Sequence, residues 1–121
     1  MIDHTLDTAA SILNVRLRSP LAKEDFEGLA KAIDPYIEKA GGLAAVVVEA
    51  PKFPAWDSFG ALAAHLRFVR DHHKRIRKLA IVTDSPMGNV AEKLASHFVA
   101  AQIKHFPVAE AQAARRWAAA T

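Results

Sequence analysis

The sequence predicts one α/β domain over residues 1–121, with a mainly parallel sheet of four or five strands, an antiparallel N-terminal edge strand and about four helices. Residues 43–49 and 78–83 are apolar on both faces, which is typical of central parallel strands. Segments of helical length, each with an apolar stripe, separate the candidate strands. A chain of 121 residues, 51% hydrophobic and 24% charged, suits a single domain with one core.

The first part of the chain predicts two strands and a long helix. Ile12–Arg18 alternates between apolar and polar side chains over most of its length, as a strand with one solvated face does, and Ile2–Leu6 is a weaker strand that can pair with it. Apolar residues then recur every three or four positions in Lys23–Ala40. Pro35 predicts a kink or a split in this helix, and Gly41-Gly42 predicts its end.

The second half of the chain predicts further crossover units. A helix is expected from Asp57 to about His73, capped by Asp57 or Ser58. The apolar stripe that we expect to face the core comprises Phe59, Leu62, Ala63, Leu66 and Val69. We also expect one core to contain Val46, Val48, Ile81 and Leu66. The remaining predicted elements are a strand at 78–83, a helix at 87–100, a strand at 102–106 and a helix at 109–118.

Composition excludes several classes of protein. The chain has no cysteine, so disulfide scaffolds, thiol nucleophiles and iron–sulfur sites are excluded. No apolar run reaches the roughly 18 residues of a transmembrane helix, and residues 1–5 do not resemble a secretory signal. We therefore expect a cytoplasmic protein, with a peripheral position at the inner membrane face left open. The histidine spacings fit no metal motif, and we expect neither metal nor cofactor.

The positive charge is concentrated in one segment. The formal net charge is +3, and residues 67–78 contain six basic residues but only one acid, Asp71. The basic residues are Arg67, Arg70, Lys74, Arg75, Arg77 and Lys78. Cations at the end of a helix complement its dipole, which explains part of this basic patch. The alternative is attraction to anionic lipid headgroups. We expect no nucleic-acid partner, because no base-stacking aromatic residue is interleaved in the run.

Two groups of residues are candidates for a ligand site. Phe53, Trp56 and Phe59 cluster before the second helix, where they either cover the core or line an apolar crevice or lipid contact. Glu49 and Asp84 end adjacent predicted strands, where α/β proteins bind ligands. The full candidate set is Glu49, Phe53, Trp56, Asp57, Ser58, Phe59 and Asp84. None of these residues stands in a recognisable catalytic motif, and we expect no catalytic residue.

Several motifs carry a resemblance to a known family. They are Glu24-Asp25-Phe26 at the first helix, Trp56 before the second, an apolar strand ending in Asp84, and Phe106-Pro107 followed by Trp117. With these motifs the chain resembles the SpoIIAA-like family, which is related to the STAS domains of bacterial anti-sigma-factor antagonists. The resemblance implies a mainly parallel sheet with helices around it and no established enzyme activity. It also implies ligand-binding or membrane-associating roles akin to those of CRAL-TRIO lipid carriers.

One departure from the related STAS antagonists affects the expected function. Those proteins carry Asp-Ser-Ser/Thr-Gly at the second helix, and the third residue accepts phosphate. This chain has Asp57-Ser58-Phe59-Gly60, and Phe59 has no hydroxyl. We therefore expect a non-catalytic domain that binds an apolar ligand or a membrane surface. The alternatives are a STAS-type protein-interaction module without the phosphorylation switch, and a small enzyme that uses Glu49 and Asp84. The oligomeric state stays open, a dimer included.

Overall fold

The predicted fold class is confirmed by a computed structural model, which describes residues 1–86, 92–93 and 99–120. Five strands lie in the order β1-β2-β3-β4-β5, with β1 antiparallel to β2 and all other pairs parallel. The strands are β1 (Ile2–Asp7), β2 (Ile12–Leu17), β3 (Leu43–Glu49), β4 (Ile76–Val82) and β5 (Gln102–Phe106). The helices are α1 (Lys23–Ala40), α2 (Phe59–His72) and α3 (Ala111–Ala119). The helix predicted at 87–100 falls largely outside the described residues.

The sheet is covered differently on its two faces. Aliphatic residues of α1 pack on one face against β2 and β3, and Phe68 of α2 joins the same cluster. On the other face lies α3, whose Ala114 and Ala118 are buried against Ala80 and Val82. Because these alanines are small, α3 lies close to the central strands. Polar side chains of β2 alternate with its buried ones, as the sequence predicts.

The first helix runs without interruption through its proline. The predicted split is wrong, because α1 continues from Lys23 to Ala40 with Pro35 inside it. Pro35 is exposed, so the carbonyl that loses its partner on this side can bond to water. The predicted end is confirmed: Gly41 adopts φ 90° and its N–H donates to the carbonyl of Ile37 over 2.7 Å. Only glycine adopts this conformation without strain.

The second helix is rotated relative to the prediction. Its buried residues are Ala61, Ala64 and His72. Of the stripe expected to face the core, two residues are exposed and three are half-buried: Phe59 and Leu66, and Leu62, Ala63 and Val69, respectively. Phe59 is 90% exposed and Leu66 61% exposed, and the placement of Leu66 in the core is therefore wrong. The small side chains of Ala61 and Ala64 let α2 pack close to α1, and this contact decides which face is buried.

The remaining expectations for the core hold in part. Val46 is buried, and Val48 is partly buried against the same cluster as the α1 aliphatic residues. Ile81 is partly exposed. Within the described ranges, no helix combines the length and the apolar character needed to cross a bilayer.

Candidate functional site

The loop before α2 holds Phe53 and Trp56 against the body of the protein. Both side chains are partly buried and pack on the cluster of Leu21, Phe26 and Ala64. Their rings meet edge to face, with 5.2 Å between centroids. The backbone follows these contacts, since the N–H of Leu21 donates to the carbonyl of residue 55 over 2.8 Å. In this arrangement Phe53 and Trp56 cover the core.

A histidine on the inner face of α2 fixes the position of this loop. The indole Nε1–H of Trp56 donates to Nδ1 of His65 over 3.1 Å. The His65 ring also stacks on Phe26, with 4.8 Å between centroids and 13° between planes. Burial lowers the pKa of His65 from its ordinary value. The neutral ring is therefore favoured, and its Nδ1 stays available as an acceptor.

The solvent-facing side of α2 carries apolar side chains. We call the set Phe59, Leu62, Ala63, Leu66 and Arg70 the α2 outer face, since these residues share one side of the helix at three- and four-residue spacing. At 1.5 Å per residue, the backbone positions of Phe59 and Leu66 lie about 10 Å apart along the axis. Ser58 caps the helix, because its Oγ accepts the Ala61 N–H over 3.1 Å. The Asp57 side chain is exposed, and the backbone N–H of Asp57 donates to the carbonyl of Leu21.

The basic patch divides between different surfaces. Arg67, Arg70 and Lys74 are exposed at the C-terminal part of α2 and just after it. Arg70 pairs with Asp71, whose pKa is lowered mainly by the hydrogen bond from that guanidinium. The other members point elsewhere or bind backbone: Arg75 donates to the carbonyl of Gly41, Lys78 donates to the carbonyls of Trp117 and Ala120, and Arg77 is exposed on β4.

The two strand-end carboxylates lie in different surroundings. Asp84 accepts the N–H of Val108 over 2.9 Å and so holds the connection after β5. Glu49 instead binds Arg16 through Oε2 over 3.2 Å and Arg115 through Oε1. The open groove that contains Glu49 does not include Asp84. Glu49 and Asp84 therefore have separate partners, and they do not line this groove together.

The groove around Glu49 has a strongly polar lining that the sequence analysis missed. Its lining consists of Asp3, His4, Thr5, Asn14, Val15, Arg16, Arg18, Glu49 and Arg115. The alternation over Ile12–Arg18 predicted a solvated face that contains Asn14, Arg16 and Arg18, but none of these residues was named as a candidate. Arg115 had no such signal, because it is far away in sequence and only the packing of α3 brings it to Glu49.

A buried histidine joins α1 to α2 on the opposite face of the sheet. His72 has Nδ1 2.7 Å from the carbonyl oxygen of Phe68 and Nε2 2.7 Å from Oδ1 of Asp34. Its ring stacks on Phe68 with 4.1 Å between centroids. Each ring nitrogen therefore lies within hydrogen-bonding distance of an oxygen, one on α2 and one on α1. His72 therefore works as a polar tie between the two helices.

Metal binding is not supported by the described part of the chain. No group of three or more histidine, aspartate or glutamate side chains converges there in a way that could hold an ion. His65 instead contacts the Trp56 indole, and His72 contacts the Phe68 carbonyl and the Asp34 carboxylate.

Comparisons with known proteins agree with this architecture. A search of curated proteins gives no match. Among solved structures, the chain is similar to an uncharacterised protein of the DUF3478 family with a SpoIIAA-like fold from Shewanella loihica PV-4. The two are 19% identical with a TM-score of 0.74, over 96% of this chain and 92% of the other. The sequence model of the SpoIIAA-like family matches residues 12–119. The chain therefore belongs to the SpoIIAA-like family.

Proposed function

We propose that this domain is a non-catalytic module that docks on anionic membrane surfaces through the α2 outer face. The observation that carries the proposal is the exposure of Phe59 and Leu66 on one side of a helix. Apolar side chains of this size favour burial, each by roughly 1.5–3 kcal/mol when fully covered. Two of them on one helical face form a surface that gains free energy from contact with an apolar phase.

Charge favours a membrane as the partner of this surface. Arg70 lies on the α2 outer face, Arg67 borders it, and Lys74 follows one turn later. Each basic residue near an anionic bilayer contributes about 1 kcal/mol. Helices that lie in the membrane interface combine apolar side chains, which enter the bilayer, with basic side chains, which are attracted to anionic lipids. The helix can lie flat on a bilayer, because its apolar and basic residues share one side.

An enclosed apolar ligand receives less support from the described residues. Two grooves there are open and have charged side chains in their lining. Phe53 and Trp56, which were candidates for an apolar crevice, contact His65, Phe26 and each other. We therefore assign the lipid contact to Phe59 and Leu66, and not to the loop that carries Phe53 and Trp56.

Vesicle co-sedimentation tests the proposal. The wild-type protein should bind vesicles of mixed phosphatidylserine and phosphatidylcholine at low salt, and bind pure phosphatidylcholine more weakly. Phe59→Ser should weaken binding by about tenfold or more, since each 1.4 kcal/mol is a factor of ten. Arg70→Glu should weaken binding only at low salt, because salt screens exposed charges.

The matched control lies on the opposite face of the sheet. Arg116 is exposed on α3, so Arg116→Glu makes the same change in net charge as Arg70→Glu at a distant surface. It should bind vesicles like the wild type, apart from the small effect of net charge. Absence of wild-type binding to anionic vesicles at low salt, or equal losses in the two charge variants, would overturn the proposal.

A protein partner is the second candidate function, and the position of Phe59 favours it. In the alignment with STAS antagonists, Phe59 stands where those proteins accept phosphate, and here it is an exposed ring directly after the Ser58 cap. A photo-crosslinking amino acid at position 59, with position 116 as control, would identify a partner. Reconstitution with that purified partner must then fail for Phe59→Ser and succeed for Arg116→Glu.

A further inference from the structure

One half of the sheet face that carries α3 has an open polar surface. On this face α3 contacts β3, β4 and β5. Beside it, β1 and β2 expose polar side chains, because partners in an antiparallel pair share a face and residues two apart in a strand do too. These side chains are Asp3, Thr5, Asn14, Arg16 and Arg18. With α3 as a wall, they form the floor of the open groove that contains Glu49.

Two arginines from distant parts of the sequence meet in this groove. Arg16 is paired with Glu49 in the β2–β3 register, and Arg115 reaches the same carboxylate from α3. Each guanidinium binds a different oxygen of Glu49. Glu49 therefore holds both cations at one place in the groove, although like charges would otherwise repel each other.

Glu49 leaves most of the hydrogen-bonding capacity of these arginines unused. Its side chain is only 18% exposed, whereas Arg16 and Arg115 are 54% and 49% exposed. A guanidinium has five N–H donors, and in the described part of the chain Glu49 is the one hydrogen-bonding partner found for either arginine. Both arginines line the groove together with Thr5 and Asn14.

The charge of the groove favours an anion. Three arginines line it against the two carboxylates of Asp3 and Glu49, and Arg18 pairs with Asp3. Guanidinium groups bind carboxylate and phosphate oxygens in a planar, two-pronged geometry, and such charge-assisted hydrogen bonds are stronger than neutral ones. A pair of arginines fixed by a carboxylate beneath them is therefore preorganised for an oxyanion.

We infer that this groove is a binding site for a small molecule with a carboxylate or phosphate group, held between Arg16 and Arg115. Glu49 is the positioning residue, and Thr5 and Asn14 supply polar contacts to the rest of the ligand. This site is independent of the proposed membrane contact, since α2 and the groove lie on opposite faces of the sheet. A domain docked through α2 would present the groove to the aqueous side.

Titration followed by ¹H–¹⁵N NMR tests the site. The probes are inorganic phosphate, pyrophosphate, succinate and citrate, each added at constant ionic strength to the full chain, with chloride as the reference. At least one probe should shift the backbone amides of Thr5 and Asn14 in a saturable way. Saturation by the phosphates alone assigns a phosphoryl ligand, and saturation by the carboxylates alone assigns a carboxylate ligand.

Adjacent arginines on α3 give a matched pair of variants. Arg115→Ala should weaken binding of the effective probe by about tenfold, as should Arg16→Ala, whereas the exposed neighbour change Arg116→Ala should leave binding unchanged. Vesicle binding should be the same in all three, which separates this site from the membrane contact. No saturable shift with any of the four probes, or equal affinity in Arg115→Ala and wild type, would overturn the inference.

Discussion

Helices α1 and α2 lie side by side on the same face of the sheet, yet they use their apolar residues in opposite ways. The aliphatic stripe of α1 is buried, and Ile33 at its centre has no exposed surface. In α2 the larger apolar residues Phe59 and Leu66 face solvent, while Ala61 and Ala64 are buried. The comparison shows that an apolar stripe marks the core only when no other side of the helix can pack better.

The reason lies in what each inner face contains. Every large apolar residue of α1 near Ile33 falls on one side, so a single orientation buries them. α2 has a second packing surface, because Phe68 and His72 stack and the small Ala61 and Ala64 allow close contact with α1. Either of two faces of such a helix could be buried, and tertiary contacts decide which one is.

Truncating one aliphatic side chain in each helix tests this difference directly and has the largest expected effect. Ile33→Ala should lower the free energy of unfolding by about 2–5 kcal/mol, because it leaves a cavity in the core. Leu66→Ala should change it by less than about 0.5 kcal/mol, because exposed positions tolerate substitution. Urea denaturation measures both. A loss for Leu66→Ala as large as that for Ile33→Ala would mean that α2 buries its outer face after all.

The next effect concerns the polar tie between the two helices. His72→Ala should lower the free energy of unfolding by about 2 kcal/mol, since it removes two hydrogen bonds of a buried ring, each with a net contribution near 1 kcal/mol. Asp71→Ala is the control, because it removes only an exposed ion pair with Arg70 and should therefore cost much less than His72→Ala. Equal losses in the two variants would contradict the assigned role of His72.

The smallest effect is a pH dependence that arises on α2 alone. Burial lowers the pKa of His65 below its ordinary value of 6.5, so under mildly acidic conditions the unfolded chain binds a proton that the folded protein excludes. The stability that neutral His65 contributes is fully present above pH 6.5 and is lost as the pH falls through the lowered pKa of the folded protein. The slope is at most about 1.4 kcal/mol per pH unit.

Two variants of α2 isolate this contribution. The difference in unfolding free energy between neutral pH and about pH 5 should shrink in His65→Gln. It should stay at the wild-type value in Leu66→Ala, because that change removes no titratable group. An unchanged pH dependence in His65→Gln would show that this ring does not resist protonation.

Much of the architecture was predictable because its signals are local. The alternation in β2, the continuous apolar run of β3 and the Gly41 stop each depend on a few neighbouring residues, and each was placed within a residue or two. The orientation of α2 was not predictable in this way, since it depends on contacts with α1 that are distant in sequence. The split predicted at Pro35 does not occur, because the effect of a proline depends on which side of the helix it occupies and Pro35 is exposed, whereas the kink stays a prediction.

The candidate site followed the same division. Glu49 was identified as a strand-end carboxylate, but its partners were not. Arg16 belongs to a different strand and Arg115 to the last helix, so their convergence on Glu49 follows from register and helix packing. Phe59 was identified from the resemblance to STAS antagonists, which placed it where those proteins accept phosphate. Its exposure became visible only in the folded chain.

The two tryptophans of the chain lie on opposite faces of the sheet, so intrinsic fluorescence can report on each face. Trp56 contacts His65 of α2. Trp117 belongs to α3, and its ring centre lies 5.2 Å from the Nζ of Lys78. Indole fluorescence responds to a nearby change in polarity or charge. In Trp117→Phe the remaining emission therefore reports on the α2 side, and in Trp56→Phe on the α3 side. Two single-tryptophan variants can thus follow events at each surface separately, without any attached dye.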